Sequence, residues 1–312
     1  MSKIKTVFIV GPTASGKTGL GISLAEKFSG EIVSADSMQI YKGIHIASAA
    51  PDIAEMRGIP HHLLEFLEPS VSYSVADYVK AARGVIADIE KRGNLPIAVG
   101  GTGLYISSLA DNTEYTDEET DYALRKALEN RFDQIGAEEM LKELSEFDPD
   151  TAARLHPNNR RRIIRAFEVY KTTGKTVTEQ NELSRKGEEH IEPLLIGINY
   201  RDREKLYERI NLRVDIMLKN GLLEEAKTAL GENGGAVQAI GHKELAGFLK
   251  GECTLNEAAE KLKRQTRRYA KRQLTWFNRD KRINWIYADE TADAVKEASG
   301  LIKEFLEREE TK

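Results

Sequence analysis

Short apolar runs alternate with longer amphipathic stretches through the first hundred residues, a pattern that predicts parallel strands separated by helices. Strands are predicted at Thr6–Val10, Glu31–Ala35 and Leu95–Val99. Between the second and third, Tyr78, Ala81, Ala82, Val85, Ile86 and Ile89 recur at helical spacing until Gly93 and Asn94 stop the run. Beyond Ala110 no strand-like run appears: residues 111–150 carry 14 acidic and 4 basic side chains and read as helical. At Arg160 the sign flips, and Arg160, Arg161, Arg162 and Arg165 open a helix behind Asn158 or Asn159 as cap. Leu194–Asn199 then reads as a buried strand, so the chain returns to the sheet. Long helices follow at Leu206–Lys219 and Leu255–Phe277, the second with Ala259, Leu262, Thr266, Tyr269, Leu274 and Phe277 on one face. The expected fold class is α/β, a parallel sheet flanked by helices with an inserted all-helical domain. Residues 1–112 and 191–312 form the core and 113–190 the insertion, with no internal repeat.

Composition narrows the classes. The 312 residues are about two domains' worth at roughly 150 per domain, and 40% hydrophobic against 31% charged residues excludes a disordered or fibrous chain. The single cysteine, Cys253, cannot form an intrachain disulfide or a Cys-rich zinc site. Thr6–Val10 is too short for a signal-peptide core and no run approaches a membrane span, so a cytoplasmic protein without membrane association is expected. A net charge of −4 argues against a nucleic-acid partner only if it is evenly spread. It is not: residues 261–282 hold ten basic residues and one acidic one, Asp280.

The strongest local signal is Gly11-Pro12-Thr13-Ala14-Ser15-Gly16-Lys17-Thr18, a full G-x-x-x-x-G-K-[ST] match between a strand and an amphipathic helix. Such a loop curls its backbone N–H groups around phosphate oxygens at a helix N-terminus, with Lys17 as a mobile cation and Thr18 as a Mg²⁺ ligand. A second Gly-Lys-Thr, at Gly174, lacks the first glycine and a preceding strand, and reads as a helix C-terminus. The cradle implies a bound polyphosphate and leaves open a kinase, a nucleotide-driven motor or switch, and a transferase that releases diphosphate. Asp36, after the second strand, can hold a metal, act as a base or cap a helix.

Further motifs carry a resemblance. Asp36-Ser-Met-Gln39-Ile-Tyr41, Gly100-Gly-Thr102-Gly-Leu-Tyr105, His156-Pro-Asn, Ile240-Gly-His-Lys-Glu244 and Arg272-Gln-Leu-Thr-Trp276-Phe follow the phosphate loop in order. Together, over nearly the whole chain, they resemble the tRNA dimethylallyltransferase (tRNA isopentenyltransferase) family. The resemblance implies a P-loop NTPase-like core. It also implies transfer of a dimethylallyl group from dimethylallyl diphosphate to N6 of adenosine 37 in the tRNA anticodon loop, releasing diphosphate, with Mg²⁺ as cofactor. By this match Asp36 is the base and Thr102 helps to orient the amine. Lys17, the loop from Gly11 to Thr18, Arg213 and, one turn earlier, Arg209 face the diphosphate.

The same match implies RNA contacts at Asp36, Ser37, Met38, Gln39, Thr102 and Arg125, along Arg161, Arg162, Ile163, Ile164 and Arg165, and at Gly241, His242 and Lys243. A monomer is expected. Two positions depart from the family pattern: Ala50 removes a lysine, and His242 replaces a common tyrosine. His61 and His62, with no metal-ligand pattern beside them, read as structural, and Trp276 and Phe277 as core. Alternative functions are an adenine-nucleotide isopentenyltransferase, a small-molecule P-loop kinase and a non-catalytic RNA-binding module, the last leaving the phosphate loop unexplained.

Overall fold

The computed structural model describes residues 3–115, 121–184, 187–231 and 239–308. The chain divides into two compact units, Met1–Ala110 with Glu189–Lys312, and Asp111–Glu188. Of the predicted insertion, residues 116–120 and 185–186 lie outside the described residues. The first unit begins with β1 (Ile4–Val10), α1 (Lys17–Lys27), β2 (Gly30–Ser34), α2 (His45–Ser48), α3 (Ile53–Met56), β3 (His61–His62), α4 (Val75–Lys91), β4 (Leu95–Gly100) and α5 (Gly103–Ala110). The second unit holds α6 (Tyr122–Phe147), α7 (Pro149–Arg154), α8 (Arg160–Thr173) and α9 (Val177–Leu183). The first unit is then completed by β5 (Ile191–Asn199), α10 (Arg203–Lys219), α11 (Leu222–Gly231), α12 (His242–Leu249), α13 (Leu255–Phe277), β6 (Asn284–Tyr287) and α14 (Ala294–Glu307).

The strands form one parallel sheet in the order β3-β2-β4-β1-β5-β6. This is the α/β class expected from the alternating pattern. Strand β1 is a continuous apolar run because both its faces are covered. Phe8 and Val10 pack toward Tyr78, Ile86, Ile106, Leu109 and Phe277, whereas Val7 and Ile9 pack toward Leu20, Leu24 and Ile302. Two prolines sit inside strands without harm. Pro96 lies before β1 begins to pair with β4, and Pro193 before β6 begins to pair with β5, so each has an open edge where the missing N–H costs nothing.

Helix ends follow local chemistry. Capping boxes at Ser74/Asp77 and Thr254/Glu257 start α4 and α13; Gly174, read from the sequence as a helix C-terminus, ends α8 in the left-handed region. Within the second unit, α6 breaks at Gly136, where φ is 82°. The core of that unit gathers Leu128, Met140, Leu144, Ile163, Ile164 and Phe167. No helix among the described residues is long and apolar enough to cross a membrane.

Strand β2 carries a buried charge. The Glu31 carboxylate accepts hydrogen bonds from Arg92 Nε (2.9 Å) and Nη2 (2.7 Å), from Asn94 Nδ2 (2.7 Å), and meets His62 Nε2 at 2.6 Å. The bonds from Arg92 lead in holding its pKa down at about 2. His62 is therefore structural, as expected, although its carboxylate partner lies 31 residues away. Because the folded pKa is depressed, this stabilisation is complete above the unfolded value near 4.5 and is lost as pH falls toward 2. Glu31→Gln should lower stability by about 2 kcal/mol at neutral pH, a deficit that shrinks below about pH 4.5 when urea midpoints of the two proteins are compared.

A cavity at the switch point of the sheet as candidate active site

From β1 the chain moves outward to β2, and β5 later lands on the other side of β1, so the loops that follow β1 and β4 flank a crevice at the carboxyl ends of the strands. A cavity of about 710 Å³ opens there in the first unit. Gly11 is forced: a Cβ on it would lie 2.3 Å from the Ile198 carbonyl oxygen. At the loop apex Ala14 holds φ at 63°, and Arg209 Nε donates to its carbonyl at 3.0 Å. Arg209, expected at the diphosphate, is thus first a strut for the loop. Ser15 Oγ is buried and has no hydrogen-bond partner among the described residues, as in a cradle shaped for an anion.

The cavity is lined by four cationic side chains, Lys17, Arg209, Arg213 and Arg272, against the carboxylates of Asp36 and Glu55. Burial lowers the Lys17 pKa to about 8, with Asp36 opposing and Arg213 adding to the shift. Burial likewise lowers the Arg213 pKa. A multiply charged anion would relieve both. Thr18 also lines the cavity. Among the described residues no group of three or more His, Cys, Asp or Glu is placed to hold a metal ion; the Thr18 hydroxyl with ligand and water oxygens is a donor set that Mg²⁺ accepts.

The opposite wall carries Asp36. Asp36 Oδ1 accepts the Met38 N–H at 3.0 Å, which leaves its other oxygen without a protein hydrogen bond among the described residues. Thr102 Oγ1 accepts the Ser37 N–H at 2.9 Å and donates to Ser37 Oγ at 3.2 Å, so it fixes the backbone beside Asp36. Tyr269 is hydrogen-bonded to Thr102 and Gln273, and burial pushes its pKa up, which keeps the phenol protonated. Gln39 faces inward: its Oε1 accepts from Ser34 Oγ at 2.8 Å and its Nε2 donates to the Ala49 carbonyl at 3.3 Å. Val99, Leu64, Pro51, Leu212, Ile216 and Met217 supply an apolar lining between the charged groups.

Several expected RNA contacts are placed elsewhere. Ile163 (0% exposed) and Ile164 (5%) lie in the core of the second unit, because the helical period turns them inward between the arginines. Arg125 makes a bidentate pair with the buried Glu168 (2.5 and 3.0 Å), which Arg165 also approaches at 3.6 Å. Arg161 and Arg162 are exposed and have no ion pair among the described residues. His242 is 0% exposed: its Nε2 meets Glu225 Oε1 at 3.1 Å, and the same carboxylate accepts the Ile46 and Ala47 N–H groups at 2.7 and 2.8 Å. Its side chain holds α2 in place instead of facing solvent. Gly241 is buried beside it, Lys243 is exposed, and Ala50 is a buried small residue.

Lys263 on α13 pairs with Asp215, and Arg282, beyond the helix, with Asp280, whereas Lys261, Arg264, Arg268 and Lys271 on α13 and Arg279 and Lys281 beyond it are exposed without ion pairs among the described residues. Phe277 is core, as read, and Trp276 covers α5 with its Nε1 donating to Ser107 Oγ at 2.9 Å. Sequence reasoning missed Glu55, the contacts of Gln273, the apolar α10 lining of Leu212, Ile216 and Met217, and the place of His61 beside the cavity. His61 Nδ1 donates to the Ile59 carbonyl at 2.8 Å, and its Nε2 is buried with no hydrogen bond among the described residues. Gln273 stands inside the Arg272-Gln-Leu-Thr-Trp276-Phe motif and four residues beyond Tyr269 on the buried face of α13, but neither signal gave it a contact.

The family described as IPP transferase matches residues 39–280. A tRNA dimethylallyltransferase from Caldanaerobacter subterraneus subsp. tengcongensis is 47% identical over 293 residues, 92% of this chain and 93% of the relative. The crystal structure of a full-length tRNA isopentenylpyrophosphate transferase from Bacillus halodurans superposes with a TM-score of 0.72 at 42% identity, covering 98% of this chain and 97% of that one. A eukaryotic dimethylallyltransferase acting on tRNA superposes with a TM-score of 0.83 at 30% identity, covering 98% and 80%.

The lowered Lys17 pKa has a sign that can be tested. Lys17 is charged below about 8 and neutral above, and a bound anion raises its pKa again. Inorganic diphosphate should therefore bind about three- to fourfold more weakly at about pH 8.5 than at about pH 7, with proton uptake. Titration calorimetry in two buffers measures both, and Lys17→Met, which removes the titrating group, should bind more weakly and lose this component of the pH dependence.

Proposed function

The chain belongs to the IPP transferase family, and on that premise we propose that it transfers a dimethylallyl group from dimethylallyl diphosphate to N6 of adenosine 37 in the anticodon loop of tRNA, releasing diphosphate. The observation that carries this reading is that one cavity joins an anion cradle, an apolar lining and a carboxylate with one unengaged oxygen. A diphosphate suits Lys17, Arg213 and the loop amides, a five-carbon chain suits the apolar lining, and an amine donor suits Asp36.

The lone pair of the adenine N6 attacks C1 of the dimethylallyl group as the C1–O bond breaks, and that bonding pair leaves on the diphosphate oxygen. Adenine N6 is a weak nucleophile because its lone pair is delocalised into the ring, so Asp36 takes the N6 proton as the new bond forms. Lys17, Arg213 and the loop N–H groups meet the charge that grows on the leaving oxygen. Thr102 serves by holding Ser37, and with it Asp36, against the acceptor. Magnesium, held by the Thr18 hydroxyl together with diphosphate and water oxygens, would neutralise part of the leaving-group charge.

The tRNA-facing residues in this reading are Asp36–Gln39, Lys243 and the unpaired cations of α13 in the first unit, and Arg161, Arg162 and Arg165 in the second. Among the described residues, exposed cations without ion pairs on α13 in the first unit, and Arg161 and Arg162 in the second, favour a polyanion over a free nucleotide as acceptor. The protein acts as a cytoplasmic monomer.

Mass analysis of tRNA incubated with the protein and dimethylallyl diphosphate should show one added prenyl group on the adenosine beside the anticodon, with AMP left unmodified. A preference for AMP would transfer the assignment to free adenine nucleotides, and a requirement for ATP would support a kinase. Asp36→Asn should lower turnover by about 10²- to 10⁴-fold while the Kd for tRNA moves less than about threefold. Near-normal turnover would remove Asp36 from the role of base. Chelation by EDTA should abolish transfer, and Thr18→Ala should raise the Mg²⁺ concentration needed to restore it.

A further inference from the structure

The phosphate loop follows β1, the loop that carries Gly101 and Thr102 (the acceptor loop) follows its sheet neighbour β4, and the ladder that joins the two strands ends at the pair Val10–Gly100. Beyond that pair the ladder ends, and a side chain from α13 bridges the two loops. Gln273 is 5% exposed; its Oε1 accepts the Thr13 N–H at 2.8 Å, and its Nε2 donates to the Gly101 carbonyl at 2.9 Å. The amide thus supplies one more rung between the loops. Its orientation is fixed by chemistry, since the Thr13 N–H can only donate and the Gly101 carbonyl can only accept.

The surroundings are built for this approach. A Cβ at residue 101 would lie 2.2 Å from Gln273 Nε2, so only glycine admits the amide. Tyr269, one turn earlier on the same helix, is hydrogen-bonded to Thr102 and Gln273, and Thr102 in turn holds Ser37 beside Asp36. The contacts run without a gap from the loop that takes the diphosphate to the carboxylate that takes the proton. Helix α13 is itself anchored, with Phe277 in the core and Trp276 bonded to Ser107.

We propose that Gln273 is a positioning residue that sets the separation between the phosphate loop and the acceptor loop, and thereby the approach of N6 to C1 of the prenyl donor. The inference rests on the reading of function above and adds to it a residue that need not touch either substrate. Its leverage is geometric: reacting atoms must come within about 3–3.5 Å, and a misplacement of about 1 Å costs on the order of 10²-fold in rate.

The test uses Gln273→Ala, the near-isosteric Gln273→Glu, Gly101→Ala, and the double variant Gly101→Ala/Gln273→Ala. Gln273→Glu keeps the bond from Thr13 but sets a carboxylate oxygen against the Gly101 carbonyl. Gly101→Ala drives the amide away by collision, a collision that Gln273→Ala removes. Single-turnover transfer at saturating tRNA and dimethylallyl diphosphate is measured below the thermal transition of each variant, alongside the Kd for each substrate.

Each single variant should lose about 10²-fold in rate with both Kd values within about threefold of the wild type. The double variant should be no slower than Gln273→Ala alone, because the two changes break one link. Multiplying losses in the double variant, a defect confined to donor affinity, or rates within about threefold of the wild type would each overturn the proposal. A wild-type protein that prenylates no tRNA would overturn the reading of function itself, an outcome distinct from an active wild type with unaffected variants.

Discussion

The structure depends on where β1 lies. It is covered on both faces and paired on both edges, with β4 on one side and β5 on the other. A strand so enclosed can leave the sheet only at its end, and the loop that follows it must rise at the carboxyl edge, where the order of the strands reverses. The cradle, the Asp36 loop and the Gly100–Gly103 loop are neighbours for that reason. Their loops have no room to wander: Gly11 abuts the Ile198 carbonyl, Ala14 is held by Arg209, and Thr13 is held by Gln273.

The electrostatics of the cavity follow from the same enclosure. Four cationic side chains and two carboxylates share a partly dehydrated space, so the site carries an excess of positive charge that its own residues do not neutralise. Lys17 gives up part of its basicity in consequence. The two arginines of α10 divide the work: Arg209 spends a guanidinium N–H on the loop backbone, and Arg213, one turn on, is buried in the lining of the cavity. Equal spacing from the same helix face does not give them equal duties.

Elements with continuous apolar runs were legible in the sequence. Strands β1, β2, β4 and β5 were read within a few residues, as were α4 and α13, because each buries enough side chains to leave a period. Strands β3 and β6, with two and four residues, leave none. Lys17, Asp36 and Arg213 line the cavity and Thr102 is bonded to Ser37 beside it, and each could be singled out in the sequence because motifs are local. Gln273, Glu31 and Glu225 were not assigned their contacts, since their partners lie 260, 61 and 179 residues away. The placements of Ile163, Ile164 and His242 on an RNA-facing surface fail for a related reason: a motif marks a segment, whereas the turn of a helix decides which of its side chains meets water.

The pairing of β1 with β5 also orders events in time. Ile4 is matched to Ile191, and the whole second unit lies between them in the chain. As the protein emerges from the ribosome, β1 can meet β4 after about a hundred residues, but its other edge stays open until β5 has been made. An open edge on an apolar strand is a template for wrong pairing. The second unit, whose contacts are local, can fold during that interval and bring the returning chain back as a shorter, less entropic loop. The phosphate cradle, among the first segments synthesised, is then among the last to be completed, because the strand, the arginine and the glutamine that hold it are all encoded beyond residue 190.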